Sequence, residues 1–187
     1  MNAEGLWSGL TERNRMRAFA IASVAAFGMA YWVGATGAVL RTAASPLGIV
    51  SLELAGTPAV AQRIYDAWGE SGHQAAQYNI KIDLLYLLAY GVALSIGCAV
   101  ARRWWQHRSA ALARVGAALT WVMLLAAASD ACENAMMWHA IHDTTNALWP
   151  ALARAFAIVK FALIAVGLLY ILAGAFSRMG GRQTAHR

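Results

Sequence analysis

The chain has 187 residues, 60% of them apolar and 13% charged, with a net charge of +6. Soluble domains carry about 25% charged residues, and here the apolar residues fall in long runs, which excludes an ordinary soluble core and points to lipid as the solvent. The positive charge does not mark a nucleic-acid binder. The arginines lie between and outside the apolar runs, with no basic helix face or aromatic RNA-binding motif, as expected of flanks that anchor helices at an anionic leaflet.

Four segments reach the ~20 residues needed to cross a bilayer: about 18–40, 80–100, 115–138 and 149–176. They predict an all-α fold, an integral membrane four-helix bundle within a domain at 18–176. A basic N-terminus (1–17) precedes it and a disordered tail (177–187) follows. The first run is too long for a cleaved signal peptide and reads as a signal anchor. Ten of the thirteen arginines fall in the N-terminus, the loop between the second and third runs, and the tail. The positive-inside rule then places both termini in the cytoplasm. The alanine- and arginine-rich composition fits a bacterial inner membrane. Cys98 and Cys132 fall near the ends of antiparallel neighbours, on opposite faces, too far apart for a disulfide.

The loop at 41–79 is then external. "GTPAVAQRIYDAWG" has Thr57 as N-cap, Pro58 at the first helical position and Gly69 as a stop. Val60, Ile64, Ala67 and Trp68 share one face. The reading is an amphipathic interfacial helix lying apolar side down over the mouth of the bundle; a simple connector helix shows the same periodicity.

"SDACENAMMWHAIHD", residues 129–143, ends an apolar run with two carboxylates and an amide. Trp138 and Trp149, taken as interface markers, put Glu133 and Arg154 both ~8 Å deep. Asp130 then lies ~12 Å and Lys160 ~16 Å deep. The expected ion pairs are Glu133–Arg154 and Asp130–Lys160, the latter bridged by the lysine stem. On the second helix Asp83, Tyr86 and Tyr90 fall at i, i+3 and i+7, a polar and aromatic stripe facing inward. Lys81, Arg154 and Lys160 balance Asp83, Asp130 and Glu133, unless Lys81 turns to the interface and leaves one carboxylate in excess.

Intramembrane ionisable residues suggest a functional site. The leading reading is a pocket opening outward for a lipid headgroup or small polar ligand. Asp83, Tyr86, Tyr90, Asp130, Glu133, Asn134 and Lys160 would line it. The alternatives are a structural network that sets helix register, a small secondary transporter and a lipid-modifying enzyme. Four helices are few for a transporter, which would have to form a homodimer; Ala30/Gly34 and Gly91/Ser95 are small-residue pairs that allow close approach. His139, His142 and Asp143 sit in a loop and are expected to be solvated rather than metal-bound. No metal or cofactor is implied, and no catalytic motif with a mechanism attached is present.

Overall fold

The computed structural model describes residues 5–106 and 108–183, and for 179–183 the backbone alone. Among the described residues there are five α-helices and no strand: α1 (Glu12–Thr36), α2 (Ile49–Glu53), α3 (Pro58–Gln106), α4 (Ala110–His142) and α5 (Leu148–Gln183). Four of them, α1, α3, α4 and α5, are long and apolar enough to cross a membrane. The long helices pack side by side, with α3 touching α1, α4 and α5. Among the long helices α1 packs chiefly on α3, and it leaves Ile21, Val24, Phe27 and Tyr31 exposed.

The helix starts follow from local chemistry. Thr11 and Ser109 are N-caps whose hydroxyls accept from the backbone N–H three residues on, in Asn14 and Leu112, each at 3.3 Å; such caps satisfy donors that the first turn leaves free. Thr57 does the same for Val60 at 3.4 Å, and Asn146 Oδ1 accepts from Leu148 N at 3.0 Å. In the turn between α4 and α5, the hydrogen bond from Thr145 holds the Asp143 carboxyl below its ordinary range.

Three features depart from the sequence reading. Gly69, at φ 60° and ψ −169°, ends the helix that starts at Pro58, but a second helix begins directly after it through "ESGHQAAQYN", so α3 is two helices joined at a kink. A left-handed φ at little steric cost is what glycine supplies, so the same residue can end a helix or redirect one. The connection between the first two long helices is therefore much shorter than 41–79. Second, the buried face of residues 58–68 is Ala61, Ile64, Tyr65 and Trp68, while Val60 and Ala67 are exposed. That face packs on Leu40, Leu52, Met137 and Ala153 of the same chain, so its apolar side meets protein rather than lying down on a surface. Third, Gly91 and Ser95 are used inside the chain. A Cβ on Gly91 would lie 2.8 Å from Ala127 Cβ, and Ser95 Oγ donates to Thr120 O at 2.7 Å.

The two ends of the helix stack are closed differently. At the end carrying the termini, α1 begins at Glu12 and residues 5–10 dock in front of it. Trp7 Nε1 donates to Ser95 Oγ at 2.8 Å, and buried Arg15 donates to the carbonyls of Trp7 and Leu10 at 3.0 and 2.8 Å. The basic N-terminus is thus partly built into the fold. Helix α5 runs on to Gln183, through most of the stretch read as a disordered tail; residues 184–187 lie outside the described residues. At the opposite end, residues 41–57 fold back as a cap. Trp68 Nε1 donates to Leu40 O and Ser45 Oγ, both at 2.8 Å, and Ser45 Oγ donates to Leu40 O at 2.7 Å.

Candidate functional site

Helix α2 is a single short turn, mostly apolar, that carries one acid. Its Leu52 and Glu53 are both buried. Lys160 stands twelve residues into α5, about 18 Å along the helix from Leu148. A side chain from the connecting segment that reaches it is therefore inside the helix stack, not laid over it. Glu53 does so: its Oε2 lies 3.3 Å from Lys160 Nζ.

Two acids of α4 meet the same ammonium, Asp130 Oδ1 at 3.0 Å and Glu133 Oε2 at 2.8 Å. They lie three residues apart and so on one face of α4. An ammonium has three N–H donors, and Lys160 faces one carboxylate for each. All four groups are deeply buried: Glu133 is 0% exposed, Asp130 2%, Lys160 5% and Glu53 6%. Glu133 is the least satisfied. Its contact with Nζ is an ion pair off the hydrogen-bonding direction, and Oε1 is buried with no hydrogen-bond partner.

Helix α3 supplies the aromatic and amide edge of the cluster. Tyr90 Oη donates to Asp130 Oδ2 at 2.8 Å. Tyr86, one turn away, tilts against Tyr90 with ring centroids 5.1 Å apart. Asp83, a further turn along, accepts from Asn134 Nδ2 at 2.6 Å. The predicted residues Asp83, Tyr86, Tyr90, Asp130, Glu133, Asn134 and Lys160 thus lie at one junction of α3, α4 and α5.

The charge balance expected from the sequence does not form. Glu133 pairs with Lys160, not Arg154. Arg154 is exposed, carries no ion pair among the described residues and lies against Gly56, where an added Cβ would stand 2.8 Å from its Cδ. Depth matching is blind to azimuth: at 100° per residue, positions 154 and 160 point about 120° apart on α5. Lys81 is exposed, its Nζ 5.1 Å from the centroid of the Trp138 ring. Four carboxylates, Glu53, Asp83, Asp130 and Glu133, are left with one ammonium. Ionised together they would carry a net charge of −3, which a buried site relieves by binding protons or by taking up another cation.

Access also differs from expectation. Glu53 and its neighbours in the cap block the way to the cluster from that end. Three cavities that touch the predicted residues lie along the sides of the stack. A cleft of about 330 Å³ between α1, α3 and α5 is walled by Phe19, Ala26, Phe27, Ile164 and Leu168, with Tyr86 and Tyr90 at one side. A second, about 190 Å³, continues along α1 toward Arg41 and shares Ala30 and Tyr86 with the first. A third, about 290 Å³, lies between α3 and α4 and reaches Asn134, Lys81 and Trp138.

Among the described residues, no three His, Cys, Asp or Glu side chains are grouped to hold a metal ion. His139 stacks on Trp149 with centroids 4.7 Å apart, and His142 Nδ1 lies 2.7 Å from Trp138 O.

Glu53 is the member that sequence reasoning missed. A lone acid in "PLGIVSLELAG" was the available signal, but nothing local says which helix it meets, since its partner is 107 residues away. No family model, curated protein or solved structure matches this chain.

Proposed function

We propose that this chain is a four-span inner-membrane protein, both termini cytoplasmic, that binds an amphiphile admitted sideways from the bilayer. The aliphatic part lies in the cleft between α1, α3 and α5, and the polar end stops at Tyr86 and Tyr90. One observation carries the reading: the wall of an apolar cleft includes Tyr90, whose hydroxyl is bonded to Asp130 of the buried acid–lysine cluster. Ligand sites commonly combine a mostly apolar wall with a few convergent polar groups, in volumes of about 300–1,000 Å³. Helix α1, whose extensive contacts with the long helices are with α3, leaves a gap toward α5 that supplies a lateral entrance.

A structural clamp is the second reading. It is favoured by the way Lys160 joins α5 to α2 and α4 through three carboxylates. The two readings differ in what the cleft does. Ala30 lines both clefts where they meet, and Ala30→Phe would fill that junction without touching the cluster. Native mass spectrometry of detergent-purified wild type should show a retained amphiphile that Ala30→Phe lacks, with helicity unchanged and the melting temperature lower only by the stabilisation that the bound ligand gives. An equal adduct in both proteins, or none in either, refutes the binding reading and leaves the clamp.

A further inference from the structure

Resting on the amphiphile reading, we infer that the ligand is a single-chain amphiphile whose polar end is a primary ammonium, held beside Asp83 and the Tyr86–Tyr90 pair. Asp83 is a carboxylate on a spanning helix, and among the described residues its hydrogen-bond partner is the neutral amide of Asn134. It is partly exposed and has no cation within ion-pair distance among the described residues. A carboxylate so placed is costly in a bilayer and is normally paired.

Among the described residues no cation lines the larger cleft, and the smaller one holds a single cation, Arg41. Lys81 stands two positions away, roughly 160° round the helix, and turns to Trp138. Lys160 already faces three carboxylates. Fully buried Glu133 keeps Oε1 without a hydrogen-bond partner in the same cluster, so the shortage of donors and of positive charge extends beyond Asp83.

The neighbouring side chains suit an ammonium. Tyr86 stands one turn from Asp83 on the same face and lines both clefts. Tilted tyrosine rings present negative π faces that attract a desolvated cation. An ammonium at the tyrosine end of the cleft would lie against these rings, one helical turn from the Asp83 carboxylate, while its chain ran past Ala26 and Phe27 toward Ile164 and Leu168. A phosphate or carboxylate in the larger cleft would meet no cation among the described residues. This argues against an anionic head group there; Arg41, which lines the smaller cleft, is where a phosphate would find a cation. The larger cleft's volume of about 330 Å³ is at the low end for ligand pockets, which favours one chain over two.

The test uses three probes of equal chain length, dodecylamine, dodecanol and dodecanoate. Each is titrated against the full chain in phosphatidylcholine nanodiscs, with the melting temperature as readout. Dodecylamine should give its half-maximal shift at a concentration about tenfold or more below dodecanol, as a desolvated cation contact of this kind implies. Dodecanoate should be the weakest. Asp83→Asn should bring dodecylamine to the level of dodecanol, and Asp83→Glu should keep the preference. If neither variant folds, the ranking of probes on the wild type still decides. Dodecanol equal to dodecylamine, or dodecanoate the strongest, overturns the ammonium while sparing the amphiphile reading. No shift with any of the three overturns both. A larger shift in phosphatidylethanolamine nanodiscs without added probe overturns the single-chain commitment.

Discussion

Replacing Lys160 and replacing any one of its acids should have very different costs. Breaking a buried ion pair by removing one partner costs about 3–5 kcal/mol. Lys160→Met strands three carboxylates at once, those now at 2.8, 3.0 and 3.3 Å from Nζ, which puts it at the top of that range, about 5 kcal/mol. For a domain of 150–250 residues, 1 kcal/mol moves the melting temperature by about 2–4 °C, so the expected fall is roughly 10–20 °C. Glu133→Gln removes a charge from a site in acid excess, and its Oε1 has no hydrogen-bond partner to lose. Its effect should stay within about 1 kcal/mol, or 2–4 °C, in either direction. Adding Glu133→Gln to Lys160→Met should recover part of the loss. Thermal unfolding in one detergent, followed by circular dichroism, measures all four proteins. A fall in Glu133→Gln as large as that in Lys160→Met would mean that the acids are each matched by a cation, and the charge-excess argument would be wrong.

Three further substitutions probe the cap and the helix contacts. Trp68→Phe removes the indole donor shared by Leu40 O and Ser45 Oγ and should cost about 1–3 kcal/mol; limited proteolysis should then cut within 41–57 sooner than in the wild type, and an unchanged cutting rate would show that the cap is held by other contacts. Gly69→Ala puts a Cβ on a residue at φ 60° and should lower stability by about 1–2 kcal/mol, whereas a gain in melting temperature would mean that α3 straightens there at no cost. Gly91→Val should destabilise by about 1–3 kcal/mol through overpacking, because even a Cβ there comes within 2.8 Å of Ala127 Cβ; an unchanged melting temperature would argue against close approach of α3 and α4.

What could be read from the sequence was what depends on local order. The four apolar runs needed only length and hydropathy, and Thr57–Pro58 announced a helix start through capping chemistry. The depth arithmetic along two antiparallel helices put Asp130 and Lys160 within a stem's reach of each other, and their polar atoms stand 3.0 Å apart. The same arithmetic misassigned Arg154, because the index along a helix gives depth and leaves the facing direction open. Gly69 does end its helix, but a left-handed glycine at a helix end leaves open whether another helix starts directly after it. Glu53 and the lateral clefts were out of reach altogether. Both depend on tertiary placement: α2 must fold down to Lys160, and α1 must pack on α3 while leaving a gap toward α5.

The most direct test of the proposed site is to photolabel the full chain in nanodiscs with a dodecylamine carrying a diazirine at mid-chain, and to map the adducts by mass spectrometry. Labelling should concentrate on Ala26, Phe27, Ile164 and Leu168, the cleft walls, and be competed away by unlabelled dodecylamine. Labelling spread over the exposed apolar surface, on Leu85, Leu88, Leu125 and Leu172 as heavily as on the cleft, and unaffected by competitor, would contradict it.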